Sequence, residues 1–574
     1  MDIDIVSDTT YGYRIKQLNL PYESMISIER EAIEVAVDLY YKHTSFWYQK
    51  PIISYEGLNI WWFMPGTSRQ DNFDDLFYLY FVSSLLRVLI EKYQVSIIRC
   101  ECDLDDIKKE VIGRICKKKE VVFECHFFKK PNIQKIKNDQ KRSYFNKYIN
   151  LLFRILQPFV KAYYKILGTR IKYWFCLHES KPHKLRYSSA PDLLKKRGEK
   201  IGFVFHGTDN EDSVKKLFRS PGTVCVNWFI TPKMEKELKK EAEILKGKID
   251  SYIKKQSFQQ SEPEFKYYLK KINQVSIDFL YKYLFFYKAY RQFAKSCKNS
   301  FWFHARPINS PHSRVITGAV QSSRKKVCSV APHFYSAKRL TNSFLKEEFS
   351  SENVRSLPSL FMVQEKISRE VLLKYFPKEH IYIFNKHPDA NDYIDKEDSI
   401  NFCILVLLQM PDENIKLTTT LMEALKDITG CHIQFKPHPS HPMDEVCSSL
   451  IASKISFEIL KPEESLEQCI LKCDICISIY STATFIAMKL GKPIIWLPFI
   501  SYNYLFLEEI YQKVGMISVD ANDLNENIKK LMRNKSLYEQ EGLKSIKLYN
   551  EIFCEEQLSD QIIRMGENLS GGSI

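Results

Sequence analysis

Several things are missing from this chain, and each absence removes a class of answer. No apolar run reaches the ~18 residues that a membrane-spanning helix needs. The opening Met1-Asp2-Ile3-Asp4 is acidic and lacks the basic and apolar regions of a secretory leader, so a cytoplasmic setting is expected. Glycine, at 18, and proline, at 23, are too scarce for a low-complexity or collagen-like chain. No internal period suits a solenoid. Cysteine is present fifteen times, scattered and odd in number, which predicts reduced thiols rather than a disulfide framework. Cys473 and Cys476 have the spacing of a metal or redox pair. No second pair of that kind or suitable His pair accompanies them, and their apolar surroundings predict a buried structural role.

What is present fits a soluble globular chain. Hydrophobic residues make up 45% and charged residues 27%, which excludes wholesale disorder. At roughly 100–200 residues per domain, 574 residues predict at least two large domains. The formal charge of +15 is local in origin. Between Lys129 and Lys172 there are twelve Lys/Arg against Asp139 alone, so this stretch carries 12 − 1 = +11.

Strand-like and helix-like stretches alternate through the N-terminal half, which predicts a parallel α/β sheet. Strand candidates are Ile52–Met64, Val95–Arg99, Val121–Cys125, Ile201–Phe205, Phe301–His304, Val327–Val330, Ser359–Val363 and Ile381–Phe384. Lys233–Ile253 and Phe265–Lys298 read as helices, and the polar stretch 385–399 as a linker. The C-terminal half repeats the alternation, with strands at Phe402–Leu408, Cys431–Phe435, Phe457–Leu460, Ile475–Ser478 and Ile494–Leu497. The helix between the last two is expected to end at Gly491, a residue suited to a C′ position. The expected division is therefore an α/β domain over 1–385 carrying a basic amphipathic insertion at 129–176, a second doubly wound domain over 400–550, and a tail at 551–574.

Two motifs of the second domain carry chemistry. Lys436-Pro437-His438-Pro439 follows a strand, where open α/β sheets bind ligands, and a cation beside an imidazole suits a phosphate. Ser478-Ile-Tyr-Ser481-Thr482 runs from strand to helix, placing small hydroxyls at a helix start whose free N–H groups favour an anion. Both motifs end strands of one expected sheet, which predicts a phosphate site formed by Lys436, His438, Pro439, Ser478, Ser481 and Thr482.

The sequence from Ile433 to Pro439, together with Cys473–Leu497, resembles the donor half of GT-B-fold transferases that build bacterial surface polysaccharides. Among these are CMP-Kdo and CMP-sialic acid transferases and, more distantly, CDP-glycerol polymerases. The resemblance covers about residues 400–500, and Ser359–Phe384 is similar to the last βαβ unit of such an acceptor domain. It implies two Rossmann-like domains facing a central cleft. It further implies a sugar, Kdo or a related 2-keto acid, moved from a CMP donor to a lipid-linked glycan of lipopolysaccharide or capsule. His438 would contact the donor phosphate and protonate it on departure, Ser481 and Thr482 would complete the cradle, and Lys436 would add charge. No cofactor or metal is implied, and the donor half holds no DxD pair. No Asp-Glu-Gly triplet of the sialyltransferase type is present either. A CDP-glycerol-type phosphotransfer, a UDP-sugar donor, and a non-catalytic scaffold role in polysaccharide assembly stand as alternatives.

A transferase of this kind needs a base on the acceptor side. Asp209 and Glu211, after the strand Ile201–Phe205, are the favoured candidates. His304, Arg306 and His333 are candidates for contacts to acceptor or donor carboxylate, while Glu56 and Asp71 flank the Trp61-Trp62 stretch. In the basic insertion, cations interleaved with Tyr, Phe, Leu and Ile and broken near Pro158 and Gly168 suit helices lying in a membrane interface. No nucleic-acid motif accompanies them. The expected placement is peripheral, on the inner face of the cell membrane.

Overall fold

The computed structural model describes residues 2–6 and 14–15 and scattered positions from 24 to 59. With short internal gaps it also describes 73–125, 143–177, 187–330, 357–384, 402–438 and 457–570. Contacts within the chain divide it into two units, the first mainly Met1–Pro332 and the second Val363–Phe376 with Ile383–Ile574.

The first unit opens on a small sheet that the sequence did not separate from the rest. Its strands are β1 (Asp2–Val6), β2 (Arg14–Ile15), β3 (Ile97–Cys100) and β4 (Val122–Cys125), in the order β2-β1-β3-β4. The helix α1 (Ser143–Arg170) follows. Where helices broken near Pro158 and Gly168 were expected, one helix runs through both. Pro158 is tolerated because it lies on the exposed side, where water can meet the carbonyl left without its helical donor. Gly168 is buried against Phe293, Ser296 and Cys297, and a Cβ there would come within 3.2 Å of the Cys297 sulfur.

The main sheet then begins, with β5 (Tyr173–Cys176), β6 (Ile201–Phe205) and β7 (Thr223–Cys225). The last four residues of the expected insertion are thus β5, an interior strand buried along its length. Between β6 and β7 lies α2 (Asn210–Arg219). The expected helix 265–298 is two, Pro263–Asn273 and α3 (Ile277–Ser296), because the Ser276 hydroxyl caps a new start by accepting from Phe279 N at 3.0 Å. The chain continues through β8 (Phe301–His304), α4 (Pro311–Gln321), β9 (Lys326–Val330), β10 (Leu360–Val363) and β11 (Ile381–Ile383). The sheet order is β11-β10-β9-β8-β5-β6-β7, with β10, β9, β8, β5, β6 and β7 successively parallel. Continuous apolar strands such as β5 and β10 are what a sheet covered on both faces requires.

The second unit holds β12 (Phe402–Leu407), α5 (Pro411–Leu425), β13 (Cys431–Lys436), β14 (Phe457–Ile459) and β15 (Ile475–Ser478). It continues with α6 (Thr484–Lys489), β16 (Ile494–Trp496), β17 (Met516–Ile517) and α7 (Ala521–Arg533). All strands are parallel, in the order β14-β13-β12-β15-β16-β17. Alternate residues Ile404, Val406, Ile433, Phe435, Ile475 and Ile477 face one core, joined by Leu417 and Leu421 of α5 and Leu524, Ile528 and Leu531 of α7. The spacing of the α7 residues is that of one helix face, and each fully buried side chain contributes about 1.5–3 kcal/mol. An Asp at Ile477 would place a carboxylate in the centre of this layer. Gly491, at φ +64°, closes α6 as its position predicted. The stretch called a tail includes a helix, Leu558–Ser570, that buries Ile562 and Met565.

Numbered from its first strand, each large sheet has the order 3-2-1-4-5-6, that of a Rossmann sheet; the first adds a seventh strand. The chain is therefore an α/β protein with two Rossmann-like units, as expected. The 385–399 linker and Trp61-Trp62 lie outside the described residues.

Candidate functional site

In a sheet of this order, ligands bind beyond the carboxyl ends of the strands at the point where the order reverses. In the second unit that point lies between β12 and β15. Leu407 of β12 pairs with Lys436 of β13 on one side and with Ser478 of β15 on the other. The two motifs singled out in the sequence therefore end level with each other, one strand apart, about 10 Å across at normal strand spacing. Between them, Asn414 at the start of α5 pins the end of β12. Its side chain accepts from Gln409 N at 2.7 Å and donates to Gln409 O at 3.3 Å.

The polar groups of this site are substantially organised by the protein itself. Lys436 is buried, and its Nζ donates to the carbonyls of Lys461 and Glu464 at 2.7 and 2.8 Å. Two of its three N–H bonds thus fix the loop after β14, which the sequence alone did not suggest. The buried Ser478 hydroxyl accepts from Ser481 N at 2.9 Å, and the Ser481 hydroxyl from Ala483 N at 3.2 Å. Thr484 Oγ1 donates to Ser481 O at 2.6 Å. Ser481 and Thr482 do not stand at the helix start that was expected: α6 begins at Thr484, behind a turn, and is only six residues long. The hydroxyl-rich turn is held rigid by its own bonds, with the side chains of Ser481 and Thr482 partly exposed. His438 follows β13 and is partly exposed, while Pro439 lies outside the described residues.

Toward the other end of β15, Cys473 and Cys476 are both fully buried, with sulfurs 3.6 Å apart and Cys473 Sγ donating to Ile470 O at 3.1 Å. Burial, then the neighbouring Cys476, pushes the Cys473 thiol well up. Lys492 Nζ donates to the carbonyls of Leu471 and Cys473 at 3.0 and 2.7 Å. The pair is packed in the core toward the amino end of β15, away from the site. Among the described residues no group of three or more His, Cys, Asp or Glu is placed to hold a metal ion.

The first unit reverses its order between β5 and β8. Here Tyr187 bridges the two strands: its hydroxyl lies 2.8 Å from Cys176 O and 3.0 Å from Phe303 O, and accepts from Ala305 N at 3.0 Å. His304, at the end of β8, is buried, with Nε2 3.1 Å from Thr317 Oγ1. One strand beyond β5, His206 follows β6. Its Nδ1 lies 3.2 Å from the Tyr290 hydroxyl, and its ring stacks on His312 with centroids 5.1 Å apart. Arg314, two residues on from His312, is 0% exposed. Asn227 clamps the turn after His206 by accepting from Gly207 N at 3.2 Å and donating to Gly207 O at 3.0 Å.

The histidine stack and Arg314 were missed in the sequence, although His206 was visible as the residue after a buried strand. His312 and Arg314 are spaced along α4 and carry no local motif. Of the expected acceptor-side residues, Asp209, Arg306 and His333 lie outside the described residues. Glu211 falls in α2, directly after β6. Glu56 is paired with Arg291 and, at 2.6 Å, with Lys288, so its charge is already compensated. Asp71 lies outside the described residues.

No protein-family model matches the chain, and no curated protein matches it. Solved structures do resemble it. An Anabaena HepE protein in complex with UDP and glucose is 12% identical over 70% of this chain and 100% of its own, with a TM-score of 0.40. The UDP-GlcNAc 2-epimerase of Neisseria meningitidis bound to UDP-GlcNAc is 14% identical over 70% and 99%, with a TM-score of 0.42. A glycosyltransferase from Rickettsia africae is 12% identical over 70% and 100%, with a TM-score of 0.39.

Proposed function

We propose that the chain is a glycosyltransferase using a nucleotide-activated sugar, with the donor phosphate held at the β12/β15 reversal. The observation that carries this reading is the register that sets Lys436 and Ser478 on either side of Leu407. It brings Lys-Pro-His and Ser-Ile-Tyr-Ser-Thr to one edge of a Rossmann sheet. His438 is the group to steady and protonate the leaving phosphate. Ser481 and Thr482 offer hydroxyls from a turn already braced by Ser478, and such prepaid order is what makes hydrogen-bond donors effective at a charged leaving group. Lys436 adds a positive charge behind them while anchoring the loop after β14.

A UDP-sugar takes first place as donor, since the HepE and Neisseria structures contain UDP with glucose and UDP-GlcNAc. A CMP-linked 2-keto sugar, the reading that the motif resemblance favours, is the second arm of the test. The acceptor hydroxyl is assigned to the first unit, with Asp209 or Glu211 as base and His304, Arg306 and His333 as contacts. A lipid-linked glycan is the acceptor class proposed.

Thermal-shift and calorimetric titration with UDP, CMP and CDP decides the nucleotide. One of the three should stabilise the protein, and His438→Ala with Ser481→Ala should abolish that shift. Failure of all three nucleotides to bind would sink the proposal. Unimpaired glycan synthesis by the double variant in cells would favour a scaffold role instead. Transfer that survives chelation by EDTA would support a metal-free leaving step; its loss would refute that part.

A further inference from the structure

Helix α1 has two apolar faces, and the fold uses one of them. Phe153, Gln157, Val160 and Tyr164 are buried. Phe153 stacks on Trp228 with centroids 4.0 Å apart, Gln157 Nε2 donates to the carbonyls of Trp228 and Ile230 at 3.1 and 2.6 Å, and the Tyr164 hydroxyl donates to Thr223 O at 3.2 Å. This face fixes the helix to the first unit.

About 150° round the helix, at 3.6 residues per turn, lies a second stripe that is open to solvent: Leu151, Leu152, Ile155, Phe159, Tyr163 and Ile166. Phe159 is 73% exposed, and the other five are between 40% and 56% exposed. Of the fifteen exposed large hydrophobic residues among those described, six fall on this one helix. The clustering separates them from the single exposed apolar residues that any surface carries. Along one flank of the stripe run Arg154, Lys161 and Lys165. The whole helix contains five Lys/Arg and no Asp or Glu.

We propose that this stripe is a docking surface for an anionic membrane leaflet, with α1 lying in the plane of the interface. The stripe would enter the boundary between headgroups and acyl chains, and the flanking cations would meet lipid phosphates. The charge pattern selects the occupant. A second copy of the chain would bring like charge against like charge. A nucleic acid would satisfy the cations yet leave Phe159 and Ile155 in water. Among the described residues no helix is long and apolar enough to cross a membrane, so the contact is peripheral. This inference does not depend on the donor chemistry.

Flotation of the full chain with vesicles tests it, comparing phosphatidylcholine alone with an equal mixture of phosphatidylcholine and phosphatidylglycerol. Binding to the anionic vesicles, weakened by salt, is expected. Phe159→Asp should weaken it by about ten- to a hundredfold, the effect of keeping one large apolar side chain out of the bilayer. Because Phe159 is exposed, circular dichroism and Tm should not change. Lys161→Glu with Lys165→Glu should remove the preference for anionic lipid. The proposal is overturned if neither vesicle binds, or if Phe159→Asp binds as the parent does. It is equally overturned if Phe159→Asp changes only the mass in light scattering, which would make the stripe a self-association face, or if an oligonucleotide displaces the protein from vesicles.

Discussion

The two large sheets have the same strand order, yet the ends of their reversal-point strands are furnished differently. At β12/β15 the side chains are small hydroxyls bonded to backbone groups of their own turn, and one buried lysine bonded to the carbonyls of Lys461 and Glu464. At β5/β8 the strands are tied by the Tyr187 hydroxyl, and the space beyond holds stacked imidazoles, a phenol and a buried guanidinium. Topology supplies the same edge twice. A small, rigid, hydroxyl-lined edge suits a phosphate of fixed shape. Imidazoles, two of them stacked and two bonded to the hydroxyls of Tyr290 and Thr317, suit contacts to a polar, hydroxyl-bearing partner. The comparison teaches that the shared order fixes where chemistry can occur, and the side chains decide which.

The sharpest way to break this division is to remove one imidazole from each edge. His438→Ala should lower transfer by about 10²–10⁴-fold, the usual contribution of a positioned proton donor, with Tm unchanged because the side chain is partly exposed. His304→Ala removes a buried group bonded to Thr317 and should cost stability of about 1–3 kcal/mol, read as a lower denaturation midpoint. As His304 is also proposed to contact the acceptor, KM for the acceptor should rise; an unchanged KM together with weaker nucleotide binding would show that the two edges do not divide the work in this way.

Backbone positions give the next effect. Gly515, at φ +85°, would place a Cβ 2.5 Å from Trp496 Nε1, and Gly202 would place one 2.5 Å from the buried Trp174 ring. Gly202→Ala should cost about 1–3 kcal/mol through overpacking. Gly515→Ala should cost more, since it adds left-handed strain of about 1–2 kcal/mol. Calorimetry reads both, and equal losses would show that the Trp496 side relaxes more easily than its geometry indicates. Lys436→Met then separates anchoring from phosphate binding. If the lysine serves mainly the carbonyls of Lys461 and Glu464, stability falls by about 1–3 kcal/mol and nucleotide affinity changes little. A large loss of affinity at unchanged stability would reverse that ranking.

The second unit was the more legible in sequence because its signals are local. Continuous apolar strands, a glycine at a helix end and Pro-His after a strand each state their role within a few residues. The register that brings Lys436 and Ser478 level could be anticipated only as a consequence of a common sheet. What the lysine bonds to depended on a loop 25 residues away. In the first unit the stack of His206 on His312 joins residues from different elements, with no motif to announce it. The break between Asn273 and Ile277 was hidden by apolar periodicity that continues across it, although Ser276 was a readable cap. In α1 the composition indicated an interfacial helix. The presence of a second, buried face at Phe153, Gln157 and Tyr164 depended on partners at 223–230 that lie far along the chain.

The smallest predicted effect concerns the buried thiols of the two sheets. Cys225 ends β7 and is fully buried, its Sγ 3.4 Å from the Ser213 hydroxyl; burial pushes its thiol up to about 11. A thiol in the unfolded chain ionises near its ordinary value, so between these two pH values the native state holds a proton that the unfolded state has released. Stability from this group is complete below the ordinary thiol range and is lost as pH rises through about 11. The loss should be about 1 kcal/mol by roughly pH 9.5, visible as a falling Tm, and Cys225→Ala should flatten that slope at the expense of a lower starting Tm. Cys473 is likewise pushed well up, by burial and then by Cys476, so Cys225→Ala should flatten the slope only in part.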